Sequence, residues 1–291
     1  LSSQGGSNRN FSLPSLKDLI TSLGANLIEL RLSNVTAVQQ YSAQILKIIQ
    51  ESCPQLEQLD LGISGITVQN GLNLVINMEA LNLGCPKLKE LYLDGFIVLD
   101  KSLTQKRFVG TFANLQVYSQ SMHSHYGRDQ AVFYSLFRGV PKLKMLNISQ
   151  SRLLPSLITN CVKEVDHLNL QDMKWNEQEE QEMVLCINAW SSSLRTLDLS
   201  YNKPNGRRID EALLQFENSV EPHRHALQIL NLSNTNVTSL GIIHVISACK
   251  NLQEINLTSC RELPRGTKRE FRKDEFDFLL KSLHPFLQEN D

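Results

Sequence analysis

The chain has 291 residues and a formal net charge of −1, from 29 basic and 30 acidic side chains. That balance argues against a protein built to grip nucleic acid, which needs a basic face to neutralise phosphates. No apolar run approaches the ~20 residues of a membrane-spanning helix, so neither a nucleic acid nor a membrane is expected as a partner.

Residues 1–12 are polar and rich in Gly and Ser, and read as a disordered lead-in, not a signal peptide. The chain opens on Leu1 and not on Met, so residues upstream of it are expected. Residues 13–23 (LPSLKDLITSL) read as one helix, either a minimal cap or the outer helix of a repeat whose strand is missing.

A six-residue pattern, L-x-x-L-x-L, then recurs. Good copies begin at Leu27 (LIELRL), Leu56 (LEQLDL), Leu88 (LKELYL), Leu143 (LKMLNI), Val165 (VDHLNL), Leu194 (LRTLDL), Leu227 (LQILNL) and Leu252 (LQEINL), with a degenerate copy at Leu115 (LQVYSQ). The offsets run from 22 to 33 residues. In L-x-L the leucines face one side of a short strand and the x residues the other. One such strand cannot bury its apolar face alone, but stacked neighbours share a continuous core.

The segments between the copies carry helical spacing. Val38, Tyr41, Ile45, Ile48 and Ile49 share one face; so do Val132, Phe133, Leu136 and Phe137, and then Met183, Val184, Ile187 and Trp190. Glu177, Glu179, Glu180 and Glu182 open the last of these, where negative charge suits a helix start. Residues 72–83 contain Leu-Asn-Leu and could pass for a tenth strand; 78–83 reads as the returning helix.

Two inserts break the rhythm. Residues 118–129 (YSQSMHSHYGRD) bring His123 and His125, a metal pair lacking a third ligand nearby in sequence. Residues 202–226 hold Arg207, Arg208, His223, Arg224 and His225, with a short helix expected around 209–216. After the last copy comes a basic run, Arg261, Arg265, Lys268, Arg269, Arg272 and Lys273, which reads as a solvated surface loop. Residues 274–283 (DEFDFLLKSL) follow as a capping helix, with Pro285 beyond it.

Three of the six cysteines, Cys53, Cys85 and Cys249, each stand three residues before the first leucine of a copy. A thiol at a recurring place is read as a small buried hydrophobe, and a reducing compartment as its home. Six N-x-[ST] sequons occur, but Asn147, Asn231 and Asn256 sit inside the expected strands, a poor place for a glycan. No phosphate-loop, nucleophile-elbow or zinc-site spacing appears, so no cofactor or metal is expected and the chain reads as a non-catalytic binding module.

The copies resemble the cysteine-containing type of leucine-rich repeat. The residues that carry the likeness are C-P-x-L-x-x-L-x-L at Cys53 and Cys85, Ile255-Asn-Leu-Thr-Ser-Cys260, and the turn Asn236-Val-Thr-Ser-Leu-Gly241. This type is familiar from F-box/leucine-rich-repeat proteins. The resemblance implies an α/β horseshoe solenoid of about nine repeats over 13–263, with a curved parallel sheet inside, helices outside, and a basic linker and capping helix over 264–291. In that family the solenoid binds a protein substrate, and an N-terminal F-box binds the Skp adaptor of a cullin ubiquitin ligase. Ser12-Leu-Pro-Ser-Leu16 resembles an F-box opening, but only one helix fits before Leu27. Skp adaptor and cullin are therefore partners only if an F-box precedes the chain.

The expected contact surface is the set of x side chains: Glu90, Tyr92, Met145, Asn147, His167, Asn169, Thr196, Asp198, Ile229, Asn231, Glu254 and Asn256. Tyr92 and Met145 are the favoured anchors, since large or flexible side chains dominate interfaces. A monomer in cytoplasm or nucleus, recognising a substrate for an SCF-type ligase, is the leading expectation. An F-box-free scaffold or inhibitor and an extracellular receptor ectodomain are the alternatives.

Overall fold

The structure is a computed structural model that describes residues 12–63, 72–100, 112–121, 129–137, 139–217, 225–264 and 268–284. The fold is mixed α/β, and the chain divides into two compact units, Leu1–Leu153 and Leu154–Asp291.

The first unit runs α1 (Leu13–Leu23), β1 (Glu29–Arg31), α2 (Thr36–Ser52), β2 (Gln58–Asp60), β3 (Leu72–Ile76), α3 (Met78–Gly84), β4 (Glu90–Tyr92), β5 (Phe96–Asp100), β6 (Val117–Ser119), α4 (Asp129–Phe137) and β7 (Met145–Asn147). Strands β1, β2, β4, β6 and β7 pair in that order, all parallel. The second unit runs β8 (His167–Asn169), α5 (Gln181–Trp190), β9 (Thr196–Asp198), α6 (Arg208–Leu214), β10 (Ile229–Asn231), α7 (Ser239–Ala248), β11 (Glu254–Asn256), β12 (Glu270–Arg272) and α8 (Phe276–Leu283). Strands β8 to β11 are parallel neighbours, and β12 lies antiparallel to β11.

All nine copies of the six-residue pattern form three-residue strands centred on their fourth position. Leu30, Leu59, Leu91, Tyr118, Leu146, Leu168, Leu197, Leu230 and Ile255 are buried, and the side chains flanking them stay more accessible in every strand but β6, where Ser119 is buried. The degenerate copy fits because its two departures satisfy each other. Tyr118 and Gln120 are both buried, and the Tyr118 hydroxyl donates to Gln120 Oε1 at 2.6 Å. The Tyr118 ring also packs edge-on against Phe137, with centroids 5.2 Å apart.

The chain leaves seven of the described strands through a tight turn. Asn34, Gln150, Asp172, Tyr201, Asn234 and Ser259 take left-handed backbone conformations, and Gly95 does likewise. Each stands three residues past its strand's end. Such a conformation is strained for a side-chain-bearing residue. The amides of Asn34, Gly95, Asp172, Tyr201 and Asn234 donate to a turn carbonyl of the following coil, at 2.7–2.9 Å. Coil-to-coil bonding holds the strained residues in place.

Helix α1 spans the expected residues. Ser12, counted above with the lead-in, is its N-cap: the hydroxyl accepts the Ser15 amide, and Leu16 and Ile20 are buried. Helix α2 buries Val38, Ile45 and Ile49, but Tyr41 departs from that face. It sits at a kink with non-helical dihedrals and is exposed. Helix α5 buries Met183, Val184, Ile187 and Trp190, and the Trp190 indole N–H donates to the Val162 carbonyl at 2.9 Å. The glutamates before it are partly consumed by backbone: Glu179, Glu180 and Glu182 accept the amides of Asn176, Asn205 and Ser156. Residues 78–83 are helical as expected, whereas 72–76 form β3, which pairs in parallel with β5 as a separate two-stranded sheet. Leu74 and Ile76 alternate inward there, as do Phe96 and Val98. The basic run is not wholly a solvated loop: it contains β12, whose Phe271 is buried.

One carboxylate is built into the second unit. Asp210 on α6 is buried and accepts the Thr238 amide at 3.0 Å and the Thr238 hydroxyl at 2.7 Å, capping α7 from its neighbour. Burial raises the Asp210 carboxyl above its ordinary range despite those two hydrogen bonds. A Cβ on Gly241 would lie 2.3 Å from Asp210 Oδ1, so only glycine fits there. Gly241→Ala is expected to lower unfolding stability by about 2 kcal/mol. Asp210→Ala in the same chain should recover part of that loss, as read from a denaturation cycle.

The six cysteines are free; five are buried and Cys161 is half-buried. Burial pushes the thiol of Cys53 up to about 11 and those of Cys85 and Cys249 up to about 12. The folded state therefore keeps these protons to higher pH than the unfolded chain, whose thiols ionise near 9. Their contribution is complete below about pH 9 and falls as pH rises toward about 12, so urea midpoints should drop across that window. A thiol reagent at neutral pH should titrate one cysteine in the native protein and six after unfolding.

Candidate partner-binding face

Pairing register sorts the side chains that flank each strand's centre into two rows. In the first unit one row is Glu29, Gln58, Glu90, Val117 and Met145, and the other is Arg31, Asp60, Tyr92, Ser119 and Asn147. In the second unit the rows are His167, Thr196, Ile229 and Glu254, and Asn169, Asp198, Asn231 and Asn256. All twelve residues expected from the sequence lie in these rows, and none is buried. Glu90, Tyr92, Met145 and Asn147 belong to the first unit and the other eight to the second.

The two rows do different work. The second row feeds the turns. Six strands of these rows end on Asp or Asn, and in each the side-chain Oδ1 accepts the amide two residues on. These bonds run from Asp60 to Gly62, Asn147 to Ser149, Asn169 to Gln171, Asp198 to Ser200, Asn231 to Ser233 and Asn256 to Thr258, at 2.8–3.2 Å. Strand β6 ends on Ser119 and lacks this acceptor, so Asp94 from the preceding coil takes the Ser121 amide at 2.8 Å. Neighbouring members also bond sideways. Asn147 Nδ2 donates to Ser119 Oγ at 2.9 Å, and Asn231 Nδ2 donates to Asp198 Oδ2 at 2.9 Å. Those two sequon nitrogens are thus already engaged.

Expected anchors fare unequally. The Tyr92 hydroxyl donates to Glu90 Oε2 at 3.0 Å, and burial, with Glu90 beside it, raises the phenol's pKa. Met145 sits in the other row, half-buried and with no turn to hold. Ile229 is the most exposed apolar member at 41%. Glu29, Arg31, Gln58 and Asp60 occupy the same face but were not among the expected residues. Arg31 Nε pairs with Glu29 at 2.7 Å and Arg31 Nη2 donates to Gln58 Oε1 at 3.3 Å. Burial raises the Asp60 carboxyl.

The second unit also forms a recess of about 670 Å³ over β10, β11 and β12. Ile229, Asn231, Glu254 and Asn256 line it, joined by Lys268, Glu270, Arg272, Asp274 and Glu275 from the segment read as linker and cap. The charge alternation of 268–275 gives no strand signal, which hid these residues. The histidine pair 123 and 125 lies outside the described residues. Among the described residues no group of three or more His, Cys, Asp or Glu is placed to hold a metal, and no helix is long and apolar enough to cross a membrane.

Asn231→Ala should leave the Ser233 amide without its acceptor and cost about 1–2 kcal/mol in denaturant unfolding. Asn231→Asp keeps the acceptor but sets a second carboxylate against Asp198. Its loss should be largest at neutral pH and shrink as pH falls through the carboxylate range.

No protein-family model matches the chain, and no curated protein matches it.

Proposed function

We propose that the chain is a leucine-rich-repeat protein, its coils stacked as a horseshoe solenoid, and that the strand face binds a protein. One observation carries this reading. The middle of each six-residue copy is a short strand with its central side chain buried, and the x side chains of parallel neighbours stand in aligned rows. Side chains fixed on paired strands are held at set spacings of about 4.8 Å between strands, which preorganises a large contact surface. The row free of turn duty is chemically varied: Glu, Gln, Val and Met in the first unit, and His, Thr, Ile and Glu in the second. Such variety suits recognition of another protein better than a repetitive ligand.

The role proposed for that face is substrate recognition in an SCF-type ubiquitin ligase, on the sequence resemblance to F-box/leucine-rich-repeat proteins. It requires an F-box joined to this chain. A scaffold or inhibitor would use the same face with no ligase attached.

Precipitation of the full-length protein from cells should bring down Skp adaptor and cullin together with a substrate. Recovery of a partner without them assigns the scaffold role. Tyr92→Ala combined with Met145→Ala should weaken partner capture at least tenfold while the melting temperature moves by only a few degrees. Unchanged capture by that folded variant removes the first unit's face as the contact.

A further inference from the structure

The recess over β10–β12 has a character that the rest of the strand face lacks. Its floor presents Ile229 and Asn231, Glu254 and Asn256, then Glu270 and Arg272, because β12 continues the face in antiparallel register. Among the described residues four carboxylates line it, those of Glu254, Glu270, Asp274 and Glu275, against two cations. One of those cations is already answered within the wall. Lys268 pairs with Glu275 and lies over the Phe271 ring, 5.7 Å from its centroid. Glu275 is further held by the Arg272 amide at 3.0 Å. Glu254, Glu270 and Asp274 are exposed, and in the β11–β12 register Arg272 stands opposite Glu254. Among its described residues the recess is thus net acidic, and Ile229 stands in its floor as an exposed apolar foothold.

These features select one occupant. A phosphate-bearing ligand would meet carboxylates. A small apolar ligand would need an enclosed apolar pocket, and this recess is open and charged. A strand-like peptide with alternating side chains can set a cation toward the carboxylates and an apolar group on Ile229.

We propose that this recess receives an extended basic segment of the protein partner, with a lysine or arginine held by Glu254 and Glu270 and an adjacent apolar side chain resting on Ile229. The proposal rests on the protein-binding reading of the strand face and adds the chemistry of the segment bound.

The test uses the whole chain and two fluorescein-labelled decapeptides of equal apolar content, one with four lysines and one with four glutamates, read by fluorescence anisotropy at physiological salt. The lysine peptide should bind at least tenfold more tightly. Glu254→Gln with Glu270→Gln should weaken it about tenfold, and Ile229→Ser severalfold, with far-ultraviolet circular dichroism unchanged. Glu79→Gln, on helix α3 and outside the strand rows, should bind as the parent does. No binding of either peptide, equal binding, preference for the glutamate peptide, or indifference to the Glu254/Glu270 pair would each overturn the proposal. Capture of the cellular partner separates the two readings. If capture needs Tyr92 and Met145 but ignores Glu254 and Glu270, the protein-binding face stands and the recess is removed from it.

Discussion

Burial of one side chain at the centre of every short strand is the constraint from which the rest follows. Leu59 lies in register between Leu30 and Leu91, and Leu197 between Leu168 and Leu230, so each coil covers the next one's apolar centre. Side chains alternate along a strand, so fixing the central residue inward fixes its two neighbours outward. A slip of one residue would bury Glu90 and Tyr92 and put Leu91 in water. The composition of the accessible face is therefore free to vary only because the leucines set the register.

A second layer of constraint acts where the strands end. The left-handed Asn34, Asp172, Tyr201 and Asn234 are strained, and their amides are committed to the following coil. The Asn or Asp at the strand end satisfies another turn amide, which explains why Asn147, Asn169, Asp198, Asn231 and Asn256 are so alike. Positions that look like a recognition surface divide into those that hold the turn and those that do not. Glu90, Tyr92, Met145, His167, Thr196, Ile229 and Glu254 are in the second class, where substitution is least constrained by the turns.

Much of this was legible in the sequence. Period-two alternation around a repeated leucine located every parallel strand of the two sets, including the degenerate copy, because burial of an alternating face is a local and repetitive demand. Helical spacing found α1, α5 and α8 for the same reason. Tyr41 misled because its spacing fits the buried face of α2, whereas the backbone kinks there. Strand β5 escaped although Asp94-Gly95 marks a turn before it, because its apolar run from Phe96 to Leu99 falls outside the six-residue pattern; β3 lies within residues 72–83, which could pass for a tenth strand. Strand β12 escaped because Glu270 and Arg272 flank a single Phe, and three residues in a charged run carry too little periodicity to stand out. The twelve face residues all lie in the strand rows, but their division into two kinds depends on backbone amides, which no side-chain pattern displays.

The reversal at β12 has a consequence for how a chain of this kind grows. Its backbone takes hydrogen-bonding groups that a further parallel coil would use: the Leu257 amide donates to the Arg269 carbonyl, and Glu270–Arg272 runs back along β11. Duplication of a coil can be absorbed between β8 and β11, where each edge is interchangeable with the next. A copy appended after β11 would first have to peel β12 away. Strand β12 thus occupies the edge of β11 that a further parallel strand would use, and the recess forms at that covered edge.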